Sequence, residues 1–367
     1  MIAEIFKDYP DHRVENRCRY VIADLLSIAL LTYCCGGMEY TDMSEFAATR
    51  ARLFGLLGNC EDGVFPSPDT FERLMKALKP AELEKCLLAC GRGVIDELKN
   101  KQIAIDGKKQ RGANPKAART AGEYILNAFV CENCISIGQE ALRDKDNEIK
   151  ALPAILEKLE LKGTTVSIDA VGTQVAIAGM ITGCGGNYLL AVKDNQKTLH
   201  EEIRLAFSVS QPVSTHEELD CGHGRIEQRT CRILPADRIS DPDTLSRWPG
   251  LKTIIEVTNT TTRNGATTTV TRHFISSEDS TEAAHYGKMV RNHWAIENNL
   301  HWHLDVNFHE DRCRTRSGFA PQNLSILRKM SLQIMKSASD KKSIRKRLFR
   351  SALDPDYLIG LLLNYKF

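Results

Sequence analysis

TTVSIDAVGTQVAIAGMITGCGGNYLLAVKDN, residues 164–195, is the stretch that decides the fold. Its first residues form an apolar, β-branched run that ends on Asp169, the composition of a buried strand. Residues 173–181 are small and apolar at helical spacing. Residues 188–192 are a second apolar run, closed by Lys193 and Asp194, and residues 195–207 are again helical in spacing. The same grammar extends upstream. Residues 102–105 run into Asp106 and Gly107, residues 124–130 and 135–142 have the pattern of a hairpin, and residues 148–159 have helical spacing. Strand, hairpin, helix, strand, helix, strand is a mixed α/β pattern. In such sheets reacting groups collect beyond the carboxyl ends of the strands. Asp106 and Asp169 each stand one residue after an apolar strand. If those strands are neighbours the two carboxylates lie side by side, and like charges that close call for a cation.

Outward from this block the chain changes character twice. Residues 1–100 read as helical, with proline stops at Pro66, Pro68 and Pro80, and carry 12 Lys/Arg against 16 Asp/Glu. That balance does not suit a non-specific DNA grip. The most apolar run, residues 21–37, is interrupted by Asp24 and too short for a comfortable membrane span, so it reads as a buried helix. From residue 208 to about 280 the pattern is β-rich. Asn264-Gly265 between two β-branched runs is a strong hairpin signal, and residues 223–229 alternate like a half-exposed strand. Residues 281–304 read as one helix, and residues 319–367 as a helical C-terminal region. Residues 311–350 hold 12 Lys/Arg against two Asp, including KKSIRKRLFR from Lys341, which points to a polyanion partner or a solvated helix face. The N-terminus shows no apolar signal-peptide region, so a cytoplasmic protein is expected. The 12 Cys are scattered, and the lone pair Cys131/Cys134 completes no zinc site and suits a hairpin turn.

HWAIENNLHWHLDVNFHEDRCR, residues 293–314, concentrates two Trp, four His and four carboxylates. At 3.6 residues per turn His293, Glu297 and His301 share one helical face, with Asp305 close behind. Trp294, Leu300, Trp302 and Phe308 read as core residues. A zinc stripe is one reading of the His–Glu–His face, although the HExxH pattern is absent. With Asp106 and Asp169, Glu297 makes a set of hard oxygen ligands suited to Mg²⁺ or Mn²⁺, and two such ions serve phosphodiester chemistry. Basic residues surround it: Lys108, Lys109 and Arg111 after Asp106, Arg291 before Glu297, and Arg312, Arg314 and Arg316 after it. For any one Asp alone, a turn cap is the simpler explanation.

Several stretches in order carry a family resemblance: IAIDGKKQRG (103–112), VSIDAVGTQ (166–174), YLLAVKDNQ (188–196), GHGRIEQR (222–229) and residues 291–314. Together they resemble insertion-sequence DDE transposases, in the branch of the H-repeat-associated proteins of Rhs elements. FPSPDTFERL (65–74) resembles that branch's helical N-terminal domain. The resemblance implies a ribonuclease-H-like core (101–207 and 281–318), a β-rich insertion at 208–280, a helical domain at 1–100 and a basic helical region at 319–367. It implies Asp106, Asp169 and Glu297 as catalytic, metal-holding residues, two Mg²⁺ or Mn²⁺ ions, and double-stranded DNA bound by a homo-oligomer near the nucleoid. Lys108, Lys109, Arg111, His223, Arg225, Arg291, His293 and His301 are the expected DNA contacts. Alternatives are a nuclease that cuts without joining and a non-catalytic DNA-binding relic. One departure stands out. The related signature Tyr-x2-Arg-x3-Glu-x6-Lys finds Val290, His293 and Leu304 at its places, so His293, Arg291 or His301 would have to substitute.

Overall fold

The apolar runs become the centre of one sheet. The computed structural model describes residues 5–365 apart from 12, 14–17, 59, 62, 96–97, 114–122, 143–147 and 223. Nine strands pair in the order β3-β2-β1-β4-β5-β9-β8-β7-β6. The first five are β1 (Gln102–Lys109), β2 (Tyr124–Val130), β3 (Ile135–Leu142), β4 (Thr165–Ile168) and β5 (Asn187–Val192). β1, β4 and β5 run parallel, and β2 lies antiparallel between β1 and β3. β2 and β3 are joined at Cys131–Cys134, where Cys134 takes the positive φ of 55° that this tight turn requires. Helices α5 (Glu148–Glu157), α6 (Val175–Gly183) and α7 (Lys197–Val209) cover one face, filling it with Leu152, Ile177, Ile181 and Ile203 against Ile103, Ile105 and Val166. Covered on both sides, these strands read as continuous apolar runs rather than alternating ones.

The β-rich block is not a separate body. Its strands β6 (Ser214–Gly222), β7 (Arg225–Pro235), β8 (Thr253–Arg263) and β9 (Ala266–Ser276) continue the same sheet, because β9 pairs antiparallel with the open edge of β5 from Leu189↔Ser276 to Val192↔His273. An unpaired edge presents free N–H and C=O groups, and β9 satisfies them. The β8–β9 turn is the expected Asn264-Gly265, both with positive φ. Beyond the core these strands project as a ribbon with cross-strand threonine pairs Thr258–Thr271, Thr260–Thr269 and Thr262–Thr267.

The opposite face meets helices from both ends of the chain. α1 (Ile22–Cys34), α2 (Tyr40–Thr49), α3 (Pro68–Ala77) and α4 (Pro80–Val94) share one apolar core with α11 (Ala320–Lys336), α12 (Ile344–Leu353) and α13 (Pro355–Asn364). Asp24, which interrupts the apolar run of α1, accepts a hydrogen bond from the Leu57 backbone N–H at 2.9 Å. α11 is the axle of this body, so part of the C-terminal basic charge is interior. Arg328 and Lys329 are each 1% exposed, and Arg347 is buried against Asp340. The polyanion reading of that charge therefore falls to the outward residues, such as Arg312, Arg314, Arg316, Lys346 and Arg350. Among the described residues no helix is long and apolar enough to cross a membrane.

The helix expected at 281–304 is divided. α9 (Ala283–His293) ends at Trp294, a π-helical turn spans Glu297–His301, and α10 (Trp302–Val306) follows. Leu300 and Phe308 lie in the core, as expected, but Trp294 and Trp302 are half-exposed. The Arg272 guanidinium sits 5.4 Å from the centre of the Trp294 ring and shields its inner face.

Candidate active site

The β1–β4 register builds the acidic pair. Parallel pairing runs from Gln102↔Thr165 to Ile105↔Ile168, so the next residues on the two neighbouring strands are Asp106 and Asp169. Adjacent strands lie about 4.8 Å apart, which sets the two carboxylates side by side. Asp169 also caps the short turn after β4, accepting from the Val171 backbone N–H at 3.1 Å. The turn-cap explanation is thus true of Asp169 and does not remove it from the site. Gly107 follows Asp106 for a steric reason. A Cβ there would lie 2.1–2.3 Å from atoms of the Tyr124 ring, so a side chain would force apart the strands that carry Asp106.

The third carboxylate comes from above. Gln102 on β1 donates from Nε2 to Ser167 Oγ on β4 at 2.9 Å and to the Met289 carbonyl of α9 at 2.9 Å. Ser167 Oγ lies 3.0 Å from His293 Nδ1. This polar chain pins α9 across the two Asp-bearing strands and delivers Glu297 over their ends. Asp106, Asp169 and Glu297 line one cavity of about 260 Å³ with Lys193, Arg272, His293 and Trp294, over an apolar floor that includes Leu189, Ala191 and Ile296. Carboxylate oxygens of Asp106 and Glu297 and a ring nitrogen of His301 lie within 4.8 Å of one another.

The electrostatics fit a cation. Burial raises the Asp106 carboxyl above the usual carboxylate range; His301 opposes this, while Asp169 and Glu297 add to it. Glu297, more exposed, is held low, first by its contact with His301. Burial pushes His293 down to about 4, so the ring is neutral near pH 7. Three carboxylates are thereby gathered on one cavity, and an oxygen-rich set of this kind is the donor chemistry of Mg²⁺ and Mn²⁺.

The expected DNA contacts divide. Lys109 is exposed, and so is Arg111, which reaches Asp311 only at 3.5 Å. Arg225 is exposed and paired with Glu227 at 2.9 Å. Three residues depart from expectation. Lys108 points inward, its ammonium 2.7 Å from Asp305, 3.1 Å from Glu310 and 3.3 Å from Asp311. Strand alternation explains this, since Lys109 takes the outward place. Arg291 turns to the ribbon and pairs with Glu218 and Asp220. His301 is 3% exposed and lies among the carboxylates instead of facing solvent. His293 lines the cavity as a neutral ring. His223 lies outside the described residues. Tyr286, the tyrosine near the signature position, is buried on Thr253 and the Glu278 carbonyl.

Residues not singled out from the sequence also serve the site. Lys193 ends the third parallel strand, and a strand-end reading applied to β5 would have named it. Gln102 and Asn127 are polar residues inside apolar strands, a signal that was available. Arg272 follows a run of threonines, and nothing nearby in the sequence marks it.

Residues 97–334 match the family described as Transposase DDE domain, and residues 3–90 match the one described as DDE_Tnp_1-associated. The chain belongs to the transposase DDE domain family. YhhI of Escherichia coli strain K12, named as an H repeat-associated transposase, is 30% identical over 364 residues, covering 96% of this chain and 95% of its own. YncI of Escherichia coli O157:H7, also named as a transposase, is 31% identical over 364 residues, covering 96% and 92%. A protein encoded in the dhlA 3′ region of Xanthobacter autotrophicus is 35% identical over 282 residues, covering 74% and 92%. Membership agrees with the resemblance carried by the strand-end and helix motifs.

Proposed function

We propose that this member of the DDE transposase family cuts DNA at the ends of a mobile element and joins the freed end to target DNA, with Asp106, Asp169 and Glu297 as its cation-holding triad. The observation that carries this reading is the β1–β4 register. It puts Asp106 and Asp169 at adjacent strand positions, on the cavity that Glu297 also lines. When bound, Mg²⁺ or Mn²⁺, as two ions, supplies positive charge to the attacking and leaving oxygens of a phosphodiester. The chain's own groups hold the geometry. β1 and β4 fix the two Asp, and the Gln102–Ser167–His293 chain fixes the helix that brings Glu297. Trp294 and Arg272 wall one side of the cavity. The order of β1–β5, with β2 antiparallel, supports a ribonuclease-H-like core.

Double-stranded DNA is the substrate in this reading, and Lys109, Arg111, Arg225 and Arg291 are the exposed residues among those named from the sequence that can meet its phosphates, Arg225 and Arg291 by exchanging their carboxylate partners for them. Arg312, closing the short turn Glu310–Arg312, and Arg314 and Arg316, on the strap that follows it, are exposed near Arg111 and enlarge that surface. Assembly as a homo-oligomer on DNA, in the cytoplasm, completes the proposal. The test uses duplex DNA carrying the inverted repeats that flank the gene. Asp106→Asn, Asp169→Asn and Glu297→Gln should each abolish Mg²⁺-dependent cleavage with end binding retained. Normal cleavage by any of the three sinks the triad. Cleavage by the unaltered chain without joining of a pre-cut end would reduce the reading to a nuclease.

A further inference from the structure

His301 lies where a metal ligand would lie. Its Nδ1 is 3.1 Å from Glu297 Oε2 and 3.6 Å from Asp106 Oδ2, and the ring is 97% buried, being 3% exposed. Two carboxylates and an imidazole would make a mixed oxygen–nitrogen site, which favours transition metals such as Zn²⁺, Co²⁺ or Mn²⁺ over Mg²⁺. The other side of the ring decides otherwise. Nε2 is 3.3 Å from Asn127 Nδ2. The same Asn127 Nδ2 donates to the Ile125 carbonyl at 3.1 Å. A carbonyl only accepts, so the nitrogen end of the amide must face Ile125. An amide nitrogen only donates, so Nε2 of His301 must be the accepting nitrogen. The proton of the neutral ring is then on Nδ1 and points at Glu297 and Asp106. A protonated Nδ1 has no lone pair to give a metal.

Asn127 is placed to do this by the sheet itself. It is the direct cross-strand partner of Asp106 in the β1–β2 ladder, so the residue that sets the ring stands beside the carboxylate the ring serves. Helical spacing adds the second constraint, since residues four apart fall in line on one face. Glu297 Oε2 and His301 Nδ1 meet on that line.

We propose that Asn127 fixes His301 as a hydrogen-bond donor to Glu297 and Asp106, and that the pair positions the acidic cluster and keeps its cation site all-oxygen. His301 is thus a positioning residue and, with Asn127, sets the metal preference toward Mg²⁺ and away from softer ions. The inference rests on the reading of the carboxylates as a cation site, but its first test does not.

That test is the tautomer itself. Long-range ¹H–¹⁵N correlation spectra of the full chain labelled with ¹⁵N-histidine, metal-free at about pH 8 where an ordinary imidazole is neutral, should show His301 protonated on Nδ1. The signal is assigned by its loss in His301→Gln. A proton on Nε2 overturns the proposal outright. The second test exchanges the determinant. In Asn127→Asp the new carboxylate only accepts, so it demands an Nε2 proton and turns the Nδ1 lone pair toward the acids. Calorimetric titration with MgCl₂ and with ZnCl₂ should then show the Zn²⁺-to-Mg²⁺ affinity ratio rising by about 10–100-fold, the range typical of residues that orient metal-binding histidines. An unchanged ratio with a reversed tautomer would also overturn it. His301→Gln keeps a donor and should retain Mg²⁺ affinity within a few-fold. If it instead lowers Zn²⁺ affinity in the unaltered background by about 100-fold, the ring is a ligand and the proposal fails. Failure of the carboxylate reading is distinct: the unaltered chain would then bind neither ion, whatever its tautomer.

Discussion

Lys108 gives the sharpest prediction, because the sequence and the structure assign it opposite roles. Placed two residues after Asp106 in a basic stretch, it reads as a phosphate contact. In the structure its side chain is 8% exposed and touches Asp305, Glu310 and Asp311, with Glu310 itself 2% exposed. Burial would raise the Glu310 carboxyl, but Lys108, Arg328 and Lys329 outweigh it and hold it down to about 2. That displacement from an ordinary carboxylate near 4.5 corresponds to about 3 kcal/mol of stability. The sign follows from the depressed value. This contribution is fully present above about pH 4.5 and is lost as the pH falls toward 2. Lys108→Met removes one of the three cations and leaves a buried carboxylate short of a partner, a change that costs about 3–5 kcal/mol. For a chain of this length that is a fall of roughly 5 °C in the unfolding midpoint. Urea unfolding at pH 7 measures the loss, and Glu310→Gln should be strongly non-additive with it in a double-mutant cycle. DNA affinity, measured by anisotropy across a salt series, should keep its slope. Stability unchanged within about 0.5 kcal/mol, together with a salt slope reduced by about one, would refute the buried-pair reasoning and restore Lys108 to the DNA surface.

Three further outcomes follow from the same geometry. Gly107→Ala sets a methyl group against the Tyr124 ring, whose hydroxyl is tied to Glu148, and should cost roughly 1–3 kcal/mol in urea unfolding; no loss would mean that the ring yields freely. His293, which burial holds down to about 4, gives stability that is whole above its unfolded value of 6.5 and is lost as the pH drops toward 4. His293→Gln should flatten the urea midpoint between pH 7.5 and 5 relative to the unaltered chain, and an identical pH profile would contradict a neutral buried ring. Replacing Arg312, Arg314 and Arg316 together by Gln should lower the salt slope of DNA binding by about 2–3 with little change in stability, and an unaltered slope would remove the strap from the DNA path.

The site was legible where local chemistry and strand grammar agree. Asp106 and Asp169 could be paired from the sequence because both end apolar runs. The register of β1 on β4 then did what neighbouring parallel strands must do. Glu297 was legible from its polar surroundings on an otherwise apolar helix. The β-rich block was readable as strands and hairpin from Asn264-Gly265, but its fusion to β5 was not. Which open edge a strand satisfies is a long-range choice, and local alternation is silent on it.

The side chains that went astray share one physical cause. Charge and aromaticity name what a residue carries, whereas its direction is set by the phase of its element. Trp294 and Trp302 stay half-exposed while Leu300 is buried, and His301 lies in line with Glu297, four residues before it on the same face. Without His301 there, Asn127 would have no ring to orient and Asp106 would lose the group that moderates its burial. The helical spacing of His293, Glu297 and His301 was thus read correctly as a single face. What spacing could not show is that the face divides, with His293 serving the β4 side through Ser167 and His301 serving the β1 side through Asn127.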